Sequence, residues 1–343
     1  MSRKLIIIGN GLGMALSPEH FSLQHVMPEV WNNDLNDAER TLIASCIEGI
    51  EETGPTSEDR LMPAQLAQFA HELITGIVEN NKQDEWFTAN ALKYPEAIGK
   101  YVYNVAQQLN KNSEQFENDI RLKSFYNSFI PFLDKSKSHV ATLNYDTLLY
   151  SAFNEYYEVG SKIHRICNGY SGSLVDGYLE RNGFDKNNFE RQFNRTFGYY
   201  LHLHGSPLFT GTPGKKILRR QLSTQAPGNA RHIILSDGRL KRHLIDRSDI
   251  LTMYWEMLKT ALDEASEVIL FGYGGGDEHL NELLRGAKVS KRVVVRDKGS
   301  ADANQSAKQE WLSRLSHNED VIDHGDSGVS YEPMDNILEF RDW

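Results

Sequence analysis

Three hydrogen-bonding side chains stand together at the end of a strand-like run. Residues 139–143 alternate polar and apolar side chains up to Thr142 and Leu143, and then Asn144, Tyr145 and Asp146 follow directly, before a helical pattern begins. An amide, a phenol and a carboxylate are costly to bury unless they find partners. We therefore expect this polar group to lie where a strand opens into a ligand site.

A second strand-like run, over residues 197–207, carries two histidines. His202 and His204 are two positions apart, so in a strand they would share a face. His204 directly precedes Gly205, where the strand is predicted to end, and we expect its imidazole to meet the same ligand site. For His202 we favour the commoner role of a structural hydrogen-bonding residue.

A glycine-rich turn, GNGLG, follows the first strand-like run and contains Gly9, Asn10, Gly11 and Gly13. Glycines allow backbone N–H groups to approach phosphate oxygens. However, Met14 stands where the dinucleotide fingerprint GxGxxG requires glycine or alanine, and no strand with an acidic end follows about twenty residues later. An ordinary dehydrogenase is therefore disfavoured, and a turn without a ligand is the alternative for this loop.

A second glycine-rich turn follows a later strand-like run in the segment FGYGGGDEHL. It contains Gly272, Tyr273 and Gly274, and Asp277 stands at the start of the next helical pattern. Asp277 is the N-cap of that helix, a residue that borders the ligand, or both.

Strand-like runs alternate with helical patterns along much of the chain. This alternation predicts an α/β fold: a Rossmann-like parallel sheet with helices on both faces and a large helical insertion. Ligands bind such sheets beyond the carboxyl ends of the strands. The four polar or glycine-rich strand ends therefore predict one shared cleft.

The patterns divide the chain into three parts. We assign residues 1–24 and 136–300 to a discontinuous core, residues 25–135 to a helical insertion without strands, and residues 301–343 to a C-terminal extension of the core. In the insertion, Leu66, Phe69, Leu73 and Ile77 are spaced as one apolar helical stripe. The tail after residue 300 is acidic and shows little pattern.

Composition limits the class of protein. Hydrophobic residues make up 40% of the 343 residues, and the net charge of -10 argues against direct nucleic-acid binding. Two basic runs, at 215–220 and 239–247, are predicted to be solvated surface, with contact to a partner subunit or to ligand phosphates as the alternative.

Two cysteines cannot form a four-cysteine zinc site and suit a reducing compartment. The apolar run at the N-terminus is too short for a signal peptide or a membrane span, so we expect a cytoplasmic protein without a membrane partner.

Taken together, the motifs GxG, TxNYD, LHGS and GYGxxD occur in an order that resembles the sirtuin-like (silent information regulator two) superfamily. They most resemble its zinc-free bacterial branch, which degrades NAD in antiphage defence. The resemblance covers the core strands and implies NAD as the substrate and no metal.

The resemblance also implies roles for individual residues. Asn144 matches the asparagine that holds the nicotinamide ribose and a water molecule, Asp146 matches an acidic residue near the nicotinamide, and His204 matches the catalytic histidine. The first glycine turn would meet the phosphates and the second the adenosine half, where serine is commoner than Gly274. The residues assigned to NAD binding are Gly9, Asn10, Gly11, Gly13, Thr142, Gly272, Tyr273, Gly274 and Asp277.

The function implied by the resemblance is an NAD glycohydrolase, which cleaves the nicotinamide–ribose bond to give nicotinamide and ADP-ribose. The resemblance also implies regulation through a homo-oligomer, a separate sensor or ATPase subunit, or both. The chain has no P-loop motif GxxxxGK[ST], so we do not expect it to sense a trigger by hydrolysing ATP itself. The family's deacylases carry a four-cysteine zinc module and a PDFR-like segment. This chain lacks both and has SPEHFSLQHV after the first loop, which weakens the deacylase interpretation.

Three alternatives stay open. The chain could be a regulatory module that binds NAD or ADP-ribose without chemistry, although the joint presence of Asn144 and His204 disfavours this. It could be a zinc-free deacylase or ADP-ribosyltransferase. It could also be an interaction protein whose glycines are only turns.

Overall fold

The sheet of this protein is built from strands that lie far apart in the sequence. The structure, a computed structural model, describes residues 2–81, 89–150, 152–153, 166–170, 180–189, 197–211, 217–219, 230–316 and 328–343. The strands in these segments are β1 Leu5–Ile8, β2 His139–Thr142, β3 Ile166–Cys167, β4 Gly198–His202, β5 Phe209–Thr210, β6 Leu218–Arg219, β7 Glu267–Phe271, β8 Ser290–Arg296 and β9 Val329–Met334.

Seven of these strands form one sheet in the order β3-β4-β2-β1-β7-β8-β9, and every neighbouring pair is parallel. β5 and β6 form a separate antiparallel pair. β1 lies at the centre, with β2 on one side and β7 on the other, so the strand order reverses at β1. Such a reversal point is where open α/β sheets bind ligands. The predicted α/β fold class is confirmed.

The α-helices whose bounds lie within the described segments are α1 Gly11–Leu16, α2 Pro18–Phe21, α3 Leu23–Asn33, α4 Asp37–Ala44, α5 Met62–Asn81, α6 Ala89–Glu114, α7 Ile120–Ser136, α8 Gly238–Asp246, α9 Asp249–Glu264, α10 Glu278–Gly286 and α11 Ala301–Leu315. In these segments, no helix combines the length and the apolar character that crossing a membrane requires.

Both faces of the sheet are covered, which explains why β1 is apolar at every position. Ile6 and Ile8 belong to one hydrophobic cluster, while Leu5 and Ile7 belong to the other, because successive strand residues point to opposite faces. All four side chains are completely buried. A parallel sheet needs this double cover.

The two helical layers come from different parts of the chain. Residues of α1 to α7 pack on the face of Ile6 and Ile8, and residues of α8 to α11 pack on the face of Leu5 and Ile7. The region 25–135 therefore supplies most of one layer, and within its described part it contains no strand. The division into 1–24 with 136–300, 25–135 and 301–343 remains a prediction.

Two expectations about local pattern were wrong. Leu66 does not face the core: its side chain is 48% exposed, and Ala64 and Gln65 are buried instead. The side chains of Leu73 and Ile77 lie outside the described residues. The tail is more regular than expected, because α11 packs on the sheet and β9 extends it alongside β8. The apolar residues that make these contacts are scattered among charged residues in the sequence of the tail.

Trp343 ties the tail to the helical layer and should contribute strongly to stability. Its ring lies 4.5 Å from the Phe129 ring and 5.4 Å from both the Phe125 and Phe271 rings, and its indole N–H donates to the Ser128 hydroxyl at 3.0 Å. We expect Trp343→Ala to lower the free energy of unfolding by about 3 kcal/mol or more in urea titration. Trp343→Phe should lose clearly less, and equal losses in the two variants would contradict this packing role.

Candidate active site

The four predicted motifs follow β4, β2, β1 and β7, and these strands are consecutive neighbours in the sheet. Their carboxyl ends therefore lie side by side. Direct contacts join the loops: Asn144 bonds Gly9, and His204 bonds Asp277. The structure thus brings together segments that are up to 268 positions apart, from Gly9 to Asp277, at one edge of the sheet.

The first glycine turn packs against the turn after β7 by direct backbone contact. Gly9 N donates to Phe271 O at 2.9 Å, and Gly11 N donates to Gly272 O at 2.8 Å. A Cβ on Gly11 would lie 2.5 Å from the Gly272 Cα. Glycine is therefore required at position 11 by packing alone, and these two N–H groups are already used within the fold.

The other residues predicted in these turns divide into buried and accessible ones. Gly13 packs against the Phe21 ring, and the buried Tyr273 hydroxyl bonds Asp277 and Asn281. Asn10 is exposed, and a Cβ on Gly274 would meet no atom within 4 Å. Asn10 and Gly274 are thus the predicted contacts that a ligand can reach most easily.

Asn144 is held by its amide nitrogen while its oxygen stays unused. Its Nδ2 donates to Gly9 O at 3.2 Å and bonds the Asp146 carboxylate, and its backbone N donates to the Thr142 hydroxyl at 3.1 Å. Thr142 thereby fixes the turn after β2. The Asn144 Oδ1 is buried and, among the described residues, has no hydrogen-bond partner. A buried acceptor without a partner is costly and marks a place for a donor from water or substrate.

Asp146 lies beneath this amide and is 7% exposed. Burial raises the pKa of its carboxyl to about 6, although hydrogen bonds from the Leu148 backbone and the Asn144 side chain oppose that rise. Near neutral pH the carboxyl is therefore mainly ionised but easily protonated. It is placed to supply negative charge next to Asn144.

His204 is locked to a buried ion pair. Its Nε2 lies 2.7 Å from Asp277 Oδ2, and the Lys241 ammonium lies 3.0 Å from the same oxygen. Burial would raise the pKa of the Asp277 carboxyl, but the His204 hydrogen bond and the Lys241 charge outweigh it and hold that pKa well below its usual range. Asp277 also caps α10, since its Oδ1 accepts from Leu280 N at 3.1 Å. The predicted N-cap is confirmed, and contact with a ligand stays a prediction.

Tyr145 and Glu58 border this cluster from the side of the helical layer. The Tyr145 ring lies 6.2 Å from the His204 ring, and its hydroxyl donates to Ile234 O and approaches Glu58 Oε1 at 3.4 Å. Burial raises the pKa of the Glu58 carboxyl despite the positive charge of Lys241 nearby. The site therefore includes an acidic group from the short 3₁₀ helix Glu58–Leu61, within region 25–135.

Sequence reasoning missed Lys241 and Glu58. Lys241 stands in the basic run 239–247, which was predicted to be solvated; this is wrong for Lys241, which is 4% exposed. The run's spacing places it on the inner face of α8, one turn before the buried Ile245, which is a signal that was available. The four basic side chains of the other run, 215–220, lie outside the described residues. Glu58 gave no signal, because no pattern in its region pointed to the sheet.

The expectation that His202 and His204 share a strand face was also wrong. β4 ends at His202, and His204 lies in the turn that follows, where Gly205 has a φ of 79°. His202 stays within the sheet and stacks on the Tyr150 ring at 4.8 Å. The turn directs His204 towards Asp277 instead.

A cavity of about 1010 Å³ lies between α4, α5, α6 and both ends of the 230–247 segment. None of the predicted site residues lines it. Within the described segments, no group of three or more His, Cys, Asp and Glu side chains is arranged to hold a metal ion.

The two glycine turns differ in a way that mutation can measure. Gly11→Ala forces a Cβ against the Gly272 backbone, so we expect a loss of about 1–3 kcal/mol in the free energy of unfolding. Gly274→Ala is the matched control and should stay within about 0.5 kcal/mol of the parent, because its Cβ would enter open space. Urea titration of both variants tests this, and equal losses would show that the close backbone approach is wrong.

The raised pKa of Asp146 predicts a pH-dependent effect of Asp146→Asn. The folded chain holds this proton more tightly than the unfolded chain, so the carboxyl favours folding at low pH and loses that contribution as pH rises from about 4 through about 6. We expect Asp146→Asn to be more stable than the parent by about 1–3 kcal/mol at pH 8, with the difference shrinking towards pH 4. Urea titrations at both pH values measure it; a difference that does not change with pH would contradict the assignment.

Comparison with known proteins is consistent with this arrangement of strands. A family model for the SIR2-like domain matches residues 138–312, just over half of the chain. The match runs from the residue before β2 into α11 and leaves out β1 with its glycine turn. A search of curated proteins finds no match. Proteins with this domain are NAD-dependent enzymes, which supports an NAD-related activity in general. The chain belongs to the SIR2-like domain family.

Proposed function

We propose that this protein is an NAD glycohydrolase, which uses water to cleave the bond between nicotinamide and ribose. The observation that carries the proposal is the buried, unpartnered Oδ1 of Asn144, whose amide nitrogen is tied to Gly9 and Asp146. His204 follows β4, which pairs with β2. The Asn144 acceptor and the His204 imidazole therefore stand after the carboxyl ends of two neighbouring strands. Binding of NAD alone needs neither of them in a buried position.

The proposed reaction balances with one water molecule. The C1′–N bond of NAD breaks, and nicotinamide leaves as a neutral molecule with the bonding electron pair. The ribose carbon passes through an oxocarbenium-like state, as in other glycoside cleavage. Water adds to that carbon and loses one proton, so the products are nicotinamide, ADP-ribose and a proton. Since the leaving group departs neutral, no strong acid is required.

Asn144 would orient the attacking water. Its Oδ1 can accept a hydrogen bond from that water, and its fixed Nδ2 prevents the amide from rotating away. Positioning of this kind lowers the barrier by removing the entropy cost of bringing the reactants together. The Asp146 carboxylate, beside the same amide, would stabilise the positive charge that develops on the ribose or hold the nicotinamide carboxamide.

His204 would accept the proton released by the water or by a ribose hydroxyl. Its Nε2 is engaged by Asp277, so the acceptor is Nδ1. The accessible Asn10 and Gly274 would contact the rest of the NAD molecule, and Gly272, Gly9, Gly11, Gly13, Thr142 and Tyr273 would shape the cleft that holds it. The reaction as proposed uses no metal ion.

We further propose that NAD depletion is the purpose of the reaction, in a cytoplasmic effector of bacterial antiphage defence. A hydrolase that consumed NAD continuously would damage its own cell, so its activity must be restrained. A homo-oligomer, a separate sensor or ATPase subunit, or both would supply that restraint. The layer α3 to α7 offers the surface for such contacts, and Glu58 connects this layer to the site.

Substitution of the two central residues tests the proposal. We expect Asn144→Ala and His204→Ala each to reduce nicotinamide release from NAD by about 10²–10⁴-fold, the usual contribution of such a catalytic group. The purified chain is assayed for nicotinamide by chromatography, with and without the product of the neighbouring gene. Asn32→Ala and His25→Ala, which change exposed residues of the same types on α3, serve as matched controls and should retain the parent rate.

The other outcomes identify the alternatives. NAD-induced thermal stabilisation without nicotinamide release would indicate a binding module. Release that requires an acylated or acceptor peptide would indicate a deacylase or ADP-ribosyltransferase. If Asn144→Ala and His204→Ala both released nicotinamide at the parent rate while folded, the assignment of these residues would be wrong.

A further inference from the structure

We propose that Lys241 and Asp277 are positioning residues for His204: Asp277 fixes the imidazole tautomer with its proton on Nε2, and Lys241 offsets the attraction of that carboxylate for a second ring proton, so that Nδ1 acts as the base. This inference rests on the proposed function only for the catalytic use of Nδ1. The tautomer of the ring is a property of the free protein.

The two nitrogens of the His204 ring have different surroundings: Nε2 faces a buried ion pair, and Nδ1 does not. Asp277 Oδ2 receives both the His204 ring at 2.7 Å and the Lys241 ammonium at 3.0 Å, while its Oδ1 is used by Leu280 N. The side chains of Lys241 and Asp277 are only 5% and 2% exposed. The His204 side chain keeps 8% exposure, and no hydrogen bond to its Nδ1 occurs among the described residues.

These contacts determine the tautomer. An ionised carboxylate only accepts hydrogen bonds, so the Nε2 that faces Asp277 must carry the proton. In a neutral imidazole the other nitrogen, Nδ1, then has the free lone pair. The α10 cap fixes the position of Asp277, and the Tyr273 hydroxyl holds the Asp277 backbone on both its N–H, at 2.9 Å, and its carbonyl, at 3.1 Å.

Lys241 competes with His204 for the negative charge of Asp277. A buried carboxylate next to a lone imidazole would favour the doubly protonated imidazolium, which has no lone pair to act as a base. The Lys241 ammonium already neutralises Asp277 and disfavours a second positive charge beside it. The remaining groups that face the ring are Glu58, whose raised pKa reduces its negative charge, and the neutral phenol of Tyr145.

Stability alone gives a poor reason for burying this pair. Moving two charges out of water costs several kcal/mol per ion, and replacing a buried ion pair with apolar residues is often neutral or stabilising. α8 has apolar residues available at its inner face, such as Ile245, yet it places a lysine beside Asp277. A role in setting the state of His204 explains the choice.

The test measures the ring directly. The full chain is labelled with ¹⁵N-histidine, and the two ring nitrogens of His204 are followed by long-range ¹H–¹⁵N spectra between pH 5 and 9. His204→Gln identifies the signal among the 12 histidines of the chain. We expect the neutral ring of the parent to carry its proton on Nε2.

Three variants separate charge from packing. Lys241→Met should raise the pH at which His204 titrates by about one unit or more, because the carboxylate loses its other positive partner. Lys241→Arg restores the charge and should return the titration towards the parent. Asp277→Asn should shift it in the opposite direction, to lower pH, since Lys241 then faces the ring without a carboxylate. If Lys241→Met does not fold, Asp277→Asn still tests the sign of the effect.

The outcomes distinguish this inference from the proposed function. A proton on Nδ1 in the parent, or a titration that Lys241→Met and Asp277→Asn leave unmoved, would overturn the positioning role whatever happens to nicotinamide release. The His204 spectra could show the expected tautomer and shifts while neither the parent nor any variant releases nicotinamide under any condition tested. In that case the positioning role stands and the hydrolase proposal fails. If both hold, the pH profile of nicotinamide release should move with the His204 titration in Lys241→Met.

Discussion

The candidate site depends on the direct backbone contact between the turn after β1 and the turn after β7. Gly11 approaches Gly272 so closely that any side chain at position 11 would collide with backbone atoms. This contact fixes the Gly9 carbonyl, which in turn holds the Asn144 amide. The same turn after β7 leads to Asp277, which holds His204. Asn144 and His204, two of the three side chains predicted to be catalytic, are thus positioned through one or two hydrogen bonds by the same pair of glycine turns.

Much of this arrangement could be predicted from the sequence because it follows from strand order. Buried runs that end in TLNYD, LHLHGS and FGYGGGD predict parallel strands whose carboxyl ends share an edge, and the observed order β4-β2-β1-β7 places them there. The strand order does not reveal which glycines serve a ligand and which serve backbone packing. Phosphate binding and close backbone packing both select glycine. In the structure, Gly11 is required for packing, while Gly274 faces open space.

Side chains that complete the site from outside the motifs could not be predicted for a physical reason. Lys241 lies in a basic run, and a charged run on a helix is normally solvated. Its burial depends on a specific carboxylate 36 positions away. Glu58 reaches the site because the 3₁₀ helix Glu58–Leu61 packs beside Tyr145, which is a tertiary relationship without local pattern. His204 was placed at the correct edge but in the wrong local geometry, because the strand ends two residues earlier than the alternation suggested.

The central strand β1 can complete its pairing only late in synthesis, because both of its partners lie far along the chain. β1 pairs with β2 after an interval of about 130 residues and with β7 after an interval of about 260 residues. Contacts of such high sequence separation form late, since a long stretch of chain must be ordered before they contribute. A ribosome would have to release the turn after β7 before the Gly11–Gly272 contact could close. A nascent chain that has not yet reached this turn therefore lacks the contact on which the candidate site depends.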